Sequence, residues 1–212
     1  GLLEHLSTIM TDEIASQKMP WKANWKIGVE SVLEIYHLGP VHPLTFKNFT
    51  KSRWDCAAHG RHSTGHTDLS DKAKSWWDVV RRKLALKQSE KYNEYNHFFI
   101  YPNIAIGLTN GSLMSVQTYD PTGIDSCDLH YRLFLAATEG DTTGAAHKAL
   151  KRAAVQSLVA FNDQVLEEDR LVSEGCHANM RHVTSPAILG MSEIRMRDFH
   201  ENLREDYGVK NG

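Results

Sequence analysis

Cysteine is scarce in this chain: three in 212 residues, at Cys56, Cys127 and Cys176. Standing far apart, with no CxxC pair, they exclude a disulfide framework and favour a reducing, cytoplasmic compartment. A charge of one sign is lacking too. With 24 Lys and Arg against 26 Asp and Glu, the formal charge is −2, so no strong field favours nucleic acid or an anionic membrane as partner. No apolar run approaches a membrane span. The opening GLLEHLSTIMTDE lacks a basic n-region and soon turns acidic, unlike a signal peptide. It reads as mid-protein, with Gly1 as a cloning remnant. Repeats, low-complexity tracts and linkers are absent, which suits one domain over 1–212. What the chain has in quantity is histidine. Of 12, five (His37, His42, His59, His62 and His66) fall within thirty residues, a first hint of metal or proton chemistry.

The apolar pattern predicts α+β. A short helix is expected over 2–10. Residues 24–37, NWKIGVESVLEIYH, are apolar at 25, 29, 32, 33 and 36, a helical period. Residues 54–69 are Gly-punctuated and read as strand and turn. Ser70 caps an amphipathic helix that runs to about residue 92. From 97 to 138 the chain is rich in β-branched and aromatic residues, with turn signals at Asn110-Gly111 and Asp120-Pro121-Thr122-Gly123. Three or four antiparallel strands in a meander are expected there. A long helix over about 144–177 and a last one over 191–207, capped by Ser192 or its neighbours, complete the chain. Helices, then hairpin strands, then a long helix packed across them make an antiparallel α+β fold.

EIYHLGPVHP, residues 34–43, poses the chemical question. On one straight helix His37 and His42 would diverge by roughly 140°. Pro40 is expected to end that helix near His37, so that His42 swings back and the two rings converge. A third ligand is expected from the long helix. Its apolar stripe reads Ala146, Leu150, Ala154, Leu158, Phe161, Val165, Val172 and Cys176. The gap is filled by Glu168 and Asp169, while Glu167 and Arg170 suit solvent. An acid on an inward face is costly unless compensated, and a metal ion is one compensation. Two histidines and one carboxylate leave open positions, a facial triad suited to non-haem Fe(II) that binds O2 beside a substrate. Structural zinc would favour four closed ligands. An ordinary reading also stands: His37 at a helix end, His42 in a loop, and Asp169 a core acid paired with arginine.

The segment Asn24-Trp25-Lys26, Glu30-Ser31, Glu34, Tyr36-His37, His42-Pro43 resembles the mononuclear-iron segment of Rieske non-haem iron oxygenases, the large subunit of ring-hydroxylating oxygenases. LEEDRLVSE resembles the same family's second signature, in which the aspartate of E-D, here Asp169, is the third iron ligand. YPNIAIG and GMSEIRMRDFHENL resemble its mid-domain strand and final helix, with Asp198-Phe199-His200 where His-Phe-His is frequent. The resemblance implies a helix-grip fold (START/Bet v1-like), a curved antiparallel sheet around a long C-terminal helix. It implies mononuclear Fe(II) on His37, His42 and Asp169. Glu34 is then the electron relay from a neighbouring subunit's [2Fe–2S] cluster to the ligand His37. A carboxylate three residues before His37 shares its helix face and can hydrogen-bond its ring. The C-x-H and C-x-x-H motif of the Rieske cluster is absent from these residues. That implies an excised catalytic domain or a protein without electron input. Ser31 stands where Asn is usual, and His177 where Gln is common.

By resemblance, the expected activity is O2-dependent hydroxylation of an aromatic substrate in an apolar pocket. Ferredoxin or a reductase is the electron donor, and the full-length assembly a homotrimer or α3β3. Phe98, Ile106 and Met114 are candidate pocket residues whose face alternation leaves open. Glu rather than Asp at position 34 also occurs in relatives that oxidise quaternary ammonium compounds. Trp21 and Trp25 could then form a cation cage or simply belong to the core. A metal-free helix-grip module binding an apolar ligand is the remaining alternative. His59, His62 and His66 are a weak rival metal cluster, since odd spacing on a strand points His59 away from the others. Trp76-Trp77 reads as core packing. Arg81-Arg82-Lys83 reads as a solvated face that could help dock a ferredoxin or reductase.

Overall fold

A computed structural model describes residues 1–140, 142–180, 182–185, 188–190 and 192–208. Among these residues, seven antiparallel strands form one sheet in the order β1-β7-β6-β5-β4-β3-β2. The strands are β1 (Asp12–Trp21), β2 (Asp55–His59), β3 (His62–Thr67), β4 (Tyr95–Ile100), β5 (Ile104–Thr109), β6 (Leu113–Gly123) and β7 (Ser126–Leu135). The helices are α1 (Leu2–Ser7), α2 (Trp25–Leu33), α3 (Leu38–Val41), α4 (Asp71–Leu84), α5 (Ala145–Met180) and α6 (Ile194–Asp206). The expected α+β fold is present: a curved sheet with a long helix against it.

The strands β4 to β7 form the expected meander. Asn110 and Gly111 both take positive φ, 51° and 58°, as the hairpin between β5 and β6 requires. The second turn is displaced. Residues 120–123 stay in β6, with a register irregularity between Pro121 and Gly123, and the chain reverses at Ile124-Asp125. The strand β1 had no counterpart among the expected elements. It is an edge strand, half-exposed on both faces, with a bulge between Glu13 and Ala15 that interrupts alternation.

Helix ends differ as well. The first helix stops at Ser7. Ser70 does cap α4, accepting from the Ala73 amide at 3.2 Å, but the helix ends at Leu84 rather than 92. Ala85 closes it in the left-handed region, with no glycine to signal the stop. The last helix begins at Ile194 after Glu193. Ser192 does not cap it and instead meets the Tyr36 hydroxyl. An earlier start, at 191, falls outside the described residues.

α5 crosses the inner face of the sheet and packs on α2, α3, α4 and β1. Polar ties fix its rotation: Tyr131 donates to Asp163, and Ser115 to Asn162 at 3.4 Å. Leu158, Leu166, Asp169 and Ser173 are its buried residues. The inward stripe therefore runs Leu166–Asp169–Ser173. Val172 and Cys176, placed inward by the sequence pattern, are exposed, as is Leu150. α2 reaches the sheet because residue 28 is glycine; a Cβ there would lie 2.5 Å from the Tyr119 ring. Among the described residues no helix is long and apolar enough to cross a membrane.

Candidate metal centre

Asn24 caps α2, its side chain accepting from the Lys26 amide at 3.1 Å. The helix ends at Leu33, four residues before His37, because Glu34 turns extended with ψ 159°. Glu34 and His37 thus do not share a helix face. The Glu34 carboxylate instead folds back over its own turn, accepting from the amides of Tyr36 at 2.5 Å and His37 at 3.1 Å. Its other oxygen meets His37 Nδ1. Pro40 does not break a helix either. It lies in the first turn of α3, where its missing N–H costs nothing. His37 and His42 flank this one short helix, their ring centroids 5.2 Å apart and the ring planes at 68°.

Asp169 comes to meet them from α5. Its Oδ1 lies 3.0 Å from His42 Nε2 and 3.5 Å from His37 Nε2. The three candidate ligand atoms fall within 4.8 Å of one another, the one such grouping among the described residues. His42 is 1% exposed and Asp169 6%. Asp169 Oδ1 nonetheless accepts no hydrogen bond. The proximity to His42 lacks donor geometry.

The backs of both rings explain why. His42 Nδ1 faces Glu168 Oε2 at 2.7 Å, as His37 Nδ1 faces Glu34. A carboxylate only accepts, so each Nδ1 carries a proton and each ring turns its other nitrogen, Nε2, toward Asp169. Two Nε2 atoms and an orphaned carboxylate oxygen converge on one point. The donor set fits a divalent metal ion, and the carboxylate behind each ring is the usual support for a metal-ligating histidine. Glu168 is itself fixed, by Thr45 Oγ1 at 2.8 Å and Gln164 Nε2 at 3.1 Å. Burial pulls the His42 pKa down, but Asp169 and Glu168 outweigh it and raise it above 6.5. Burial works to raise Glu168, yet hydrogen bonds from His42, Thr45 and Gln164 hold it low.

Beside the triad lies a cavity of about 520 Å³ between the sheet, α4 and α5. An aromatic wall leads into it from His42. Phe46 sits 5.8 Å from the His42 ring and 5.3 Å from Tyr95, and Tyr95 lies 5.7 Å from Trp54. Phe49 and Phe161 pack against the same group. Phe98, Ile106 and Met114 do not line it. They alternate with His97, Gly107 and Ser115, which do. Trp21 and Trp25 also stay out, packing edge-on against Tyr119 and Phe199 as core. Trp77 is buried as expected, but Trp76 is half-exposed, and both border the cavity. Ser31 borders it, whereas His177 is bound to Asp125 at 3.0 Å. His59, His62 and His66 lie exposed on β2 and β3 and form no metal grouping. Sequence reasoning missed the roles of Glu168, Thr45 and the TFKNF aromatics. The i, i+3 pair Phe46 and Phe49 was their one available signal.

The chain matches the sequence profile described as ring hydroxylating alpha subunit (catalytic domain) over residues 11–208. No curated protein sequence matches it. Among solved structures it is similar to the quaternary ammonium Rieske monooxygenase CntA with inhibitor MMV12. There the TM-score is 0.71 at 16% identity, over 97% of this chain and 54% of that one. A second structure, of a quaternary ammonium Rieske monooxygenase studied for carnitine oxidation and inter-subunit electron transfer, gives 0.67 at 17%, over 92% and 50%. Dicamba monooxygenase bound to dicamba gives 0.59 at 12%, over 92% and 59%. At such identities the likeness is one of fold, and the chain spans about half the length of these proteins.

Proposed function

The chain belongs to the ring hydroxylating alpha subunit family as a catalytic domain, and from that premise we propose that it hydroxylates an aromatic substrate at a mononuclear Fe(II). His37, His42 and Asp169 are the proposed ligands. The observation that carries the reading is the buried Asp169 Oδ1, without a hydrogen bond, facing the Nε2 atoms of His37 and His42. Bound there with open positions, Fe(II) would supply O2 chemistry that no side chain can.

The chain's own residues would do the rest. Glu34 and Glu168 hold the Nδ1 protons and orient the rings. The aromatic wall and α5 exclude water and lay a planar substrate beside the triad. Glu34, which touches His37 and is only partly buried, is proposed as the electron relay. The [2Fe–2S] cluster would come from a Rieske domain outside these residues, in a homotrimer or α3β3 assembly reduced by ferredoxin or a reductase. The aromatic wall favours one second reading, a quaternary ammonium substrate held by its ring faces. A metal-free carrier would have no use for three metal-ligating side chains gathered on one point.

Metal analysis after anaerobic Fe(II) loading tests the reading. One iron per chain is expected, lost in both His37→Ala and Asp169→Ala. Failure of the parent chain to take up iron, or retention by both variants, overturns it.

A further inference from the structure

Arg195, in the first turn of α6, is 2% exposed and borders the same cavity. Its Nε donates to Ser63 Oγ at 3.1 Å and its Nη2 to His97 Nδ1 at 2.7 Å. Its Nη1 is buried without a partner. Among the described residues, its ion-pair partners include no carboxylate; the titratable groups it feels most are Cys56 and Tyr95. Neither supplies a counter-charge. Burial raises both the Cys56 thiol and the Tyr95 phenol, keeping each protonated. His97 must accept from the guanidinium, so its proton sits on Nε2 and the ring is neutral. Burial, then the adjacent guanidinium, hold its pKa well below 6.5. Burial lowers Arg195 itself to about 10, which leaves it charged at neutral pH.

The molecule therefore buries a cation among neutral groups, an arrangement that is costly unless an anion arrives. The aromatic wall connects it to the triad. A Cβ on Gly65 would meet Arg195 Nη1 at 3.1 Å and the Trp54 ring at 3.4 Å. Trp54 abuts Tyr95, Tyr95 abuts Phe46, and Phe46 abuts His42. We propose that Arg195 is the anchor for an organic carboxylate, whose apolar body lies along this wall toward His42 and Asp169. The inference rests on the oxygenase reading only in calling that carboxylate the substrate. It makes Arg195 a specificity-determining residue and the preferred substrates acids.

The test uses metal-free protein, so that a carboxylate cannot score by binding iron. Calorimetric titration compares benzoate with benzamide, 2-naphthoate with 2-naphthamide, and 4-(trimethylammonio)butanoate with its amide. At least one acid should bind roughly tenfold or more tightly than its amide. That preference should vanish in Arg195→Met, which replaces the buried charge by an apolar chain of similar length. Arg195→Lys, which keeps the charge and loses the fork, should lose severalfold and keeps the test decisive if the Met variant does not fold. No acid preference in any pair, or a preference untouched by these substitutions, overturns the proposal. Iron uptake without acid preference sinks the anchor alone. Acid preference without iron uptake sinks the oxygenase reading alone.

Discussion

Glu168 neighbours the proposed ligand Asp169 on α5, yet it serves the other side of the site, behind the His42 ring. Its carboxylate decides which nitrogen of His42 is free. Glu168→Gln can present its amide nitrogen to Nδ1 and invert the tautomer, so divalent-metal affinity should fall by about 10–100-fold. The metal-free melting temperature should hardly move. Anaerobic Co(II) titration followed by its absorption bands, alongside thermal melts, separates the two effects; equal affinity in both proteins would refute the role. At this scale the sequence was informative where chemistry conflicts with pattern. Glu168 and Asp169 stood out as acids in an apolar stripe, the family resemblance chose Asp169 between them, and the histidine pair stood out by spacing. Arg195 did not stand out. It sits in a final helix whose neighbours Arg197, Asp198 and Glu201 are surface charges, and only packing shows that this one arginine turns inward.

Among the elements, α2 bears most on the site, because where it lands sets where His37 begins. Its close seat on Tyr119 depends on Gly28. Gly28→Ala would push the helix off the sheet and should destabilise the protein by about 1–3 kcal/mol, read as a lowered midpoint in urea denaturation. Wild-type stability would mean that α2 packs elsewhere. The strands β4 to β7 were legible because their alternation is strong and Asn-Gly has one preferred turn. The strand β1 was not, since both its faces are half wet and its bulge scrambles the period. The ends of α2 and α4 were illegible for another reason. Apolar spacing continues through residue 36 and beyond Leu84, while the breaks are made by the backbone of Glu34 and Ala85, which carry no glycine or proline signal. The inward face of α5 was misjudged by one residue after Val165. Its rotation is set by ties to Ser115 and Tyr131 on the sheet, not by the helix's own composition.

For the whole molecule, the buried His97–Arg195 pair gives folding a pH dependence. The folded pKa of His97 lies well below its ordinary 6.5, so between the two values the unfolded chain binds the extra proton. Stability from this pair is complete above about pH 6.5 and declines as pH falls below it. His42, whose pKa is raised, acts in the opposite sense, so the informative quantity is a difference in slopes. Thermal melts from about pH 5 to 7.5 should show a shallower acid decline in His97→Gln, whose amide oxygen can still accept from Arg195. An unchanged slope would show that His97 is not the group responsible.

The bond between His42 and Glu168 joins residues 126 positions apart in the chain. The loop it closes contains six of the seven strands, and an ion shared by His37, His42 and Asp169 would close it a second time. Contacts between residues so far apart exist only in the folded chain, so an ion bound there stabilises the whole fold by mass action. Occupancy of the site would then be felt at the rim of the sheet, far from any reacting atom, as resistance to proteases.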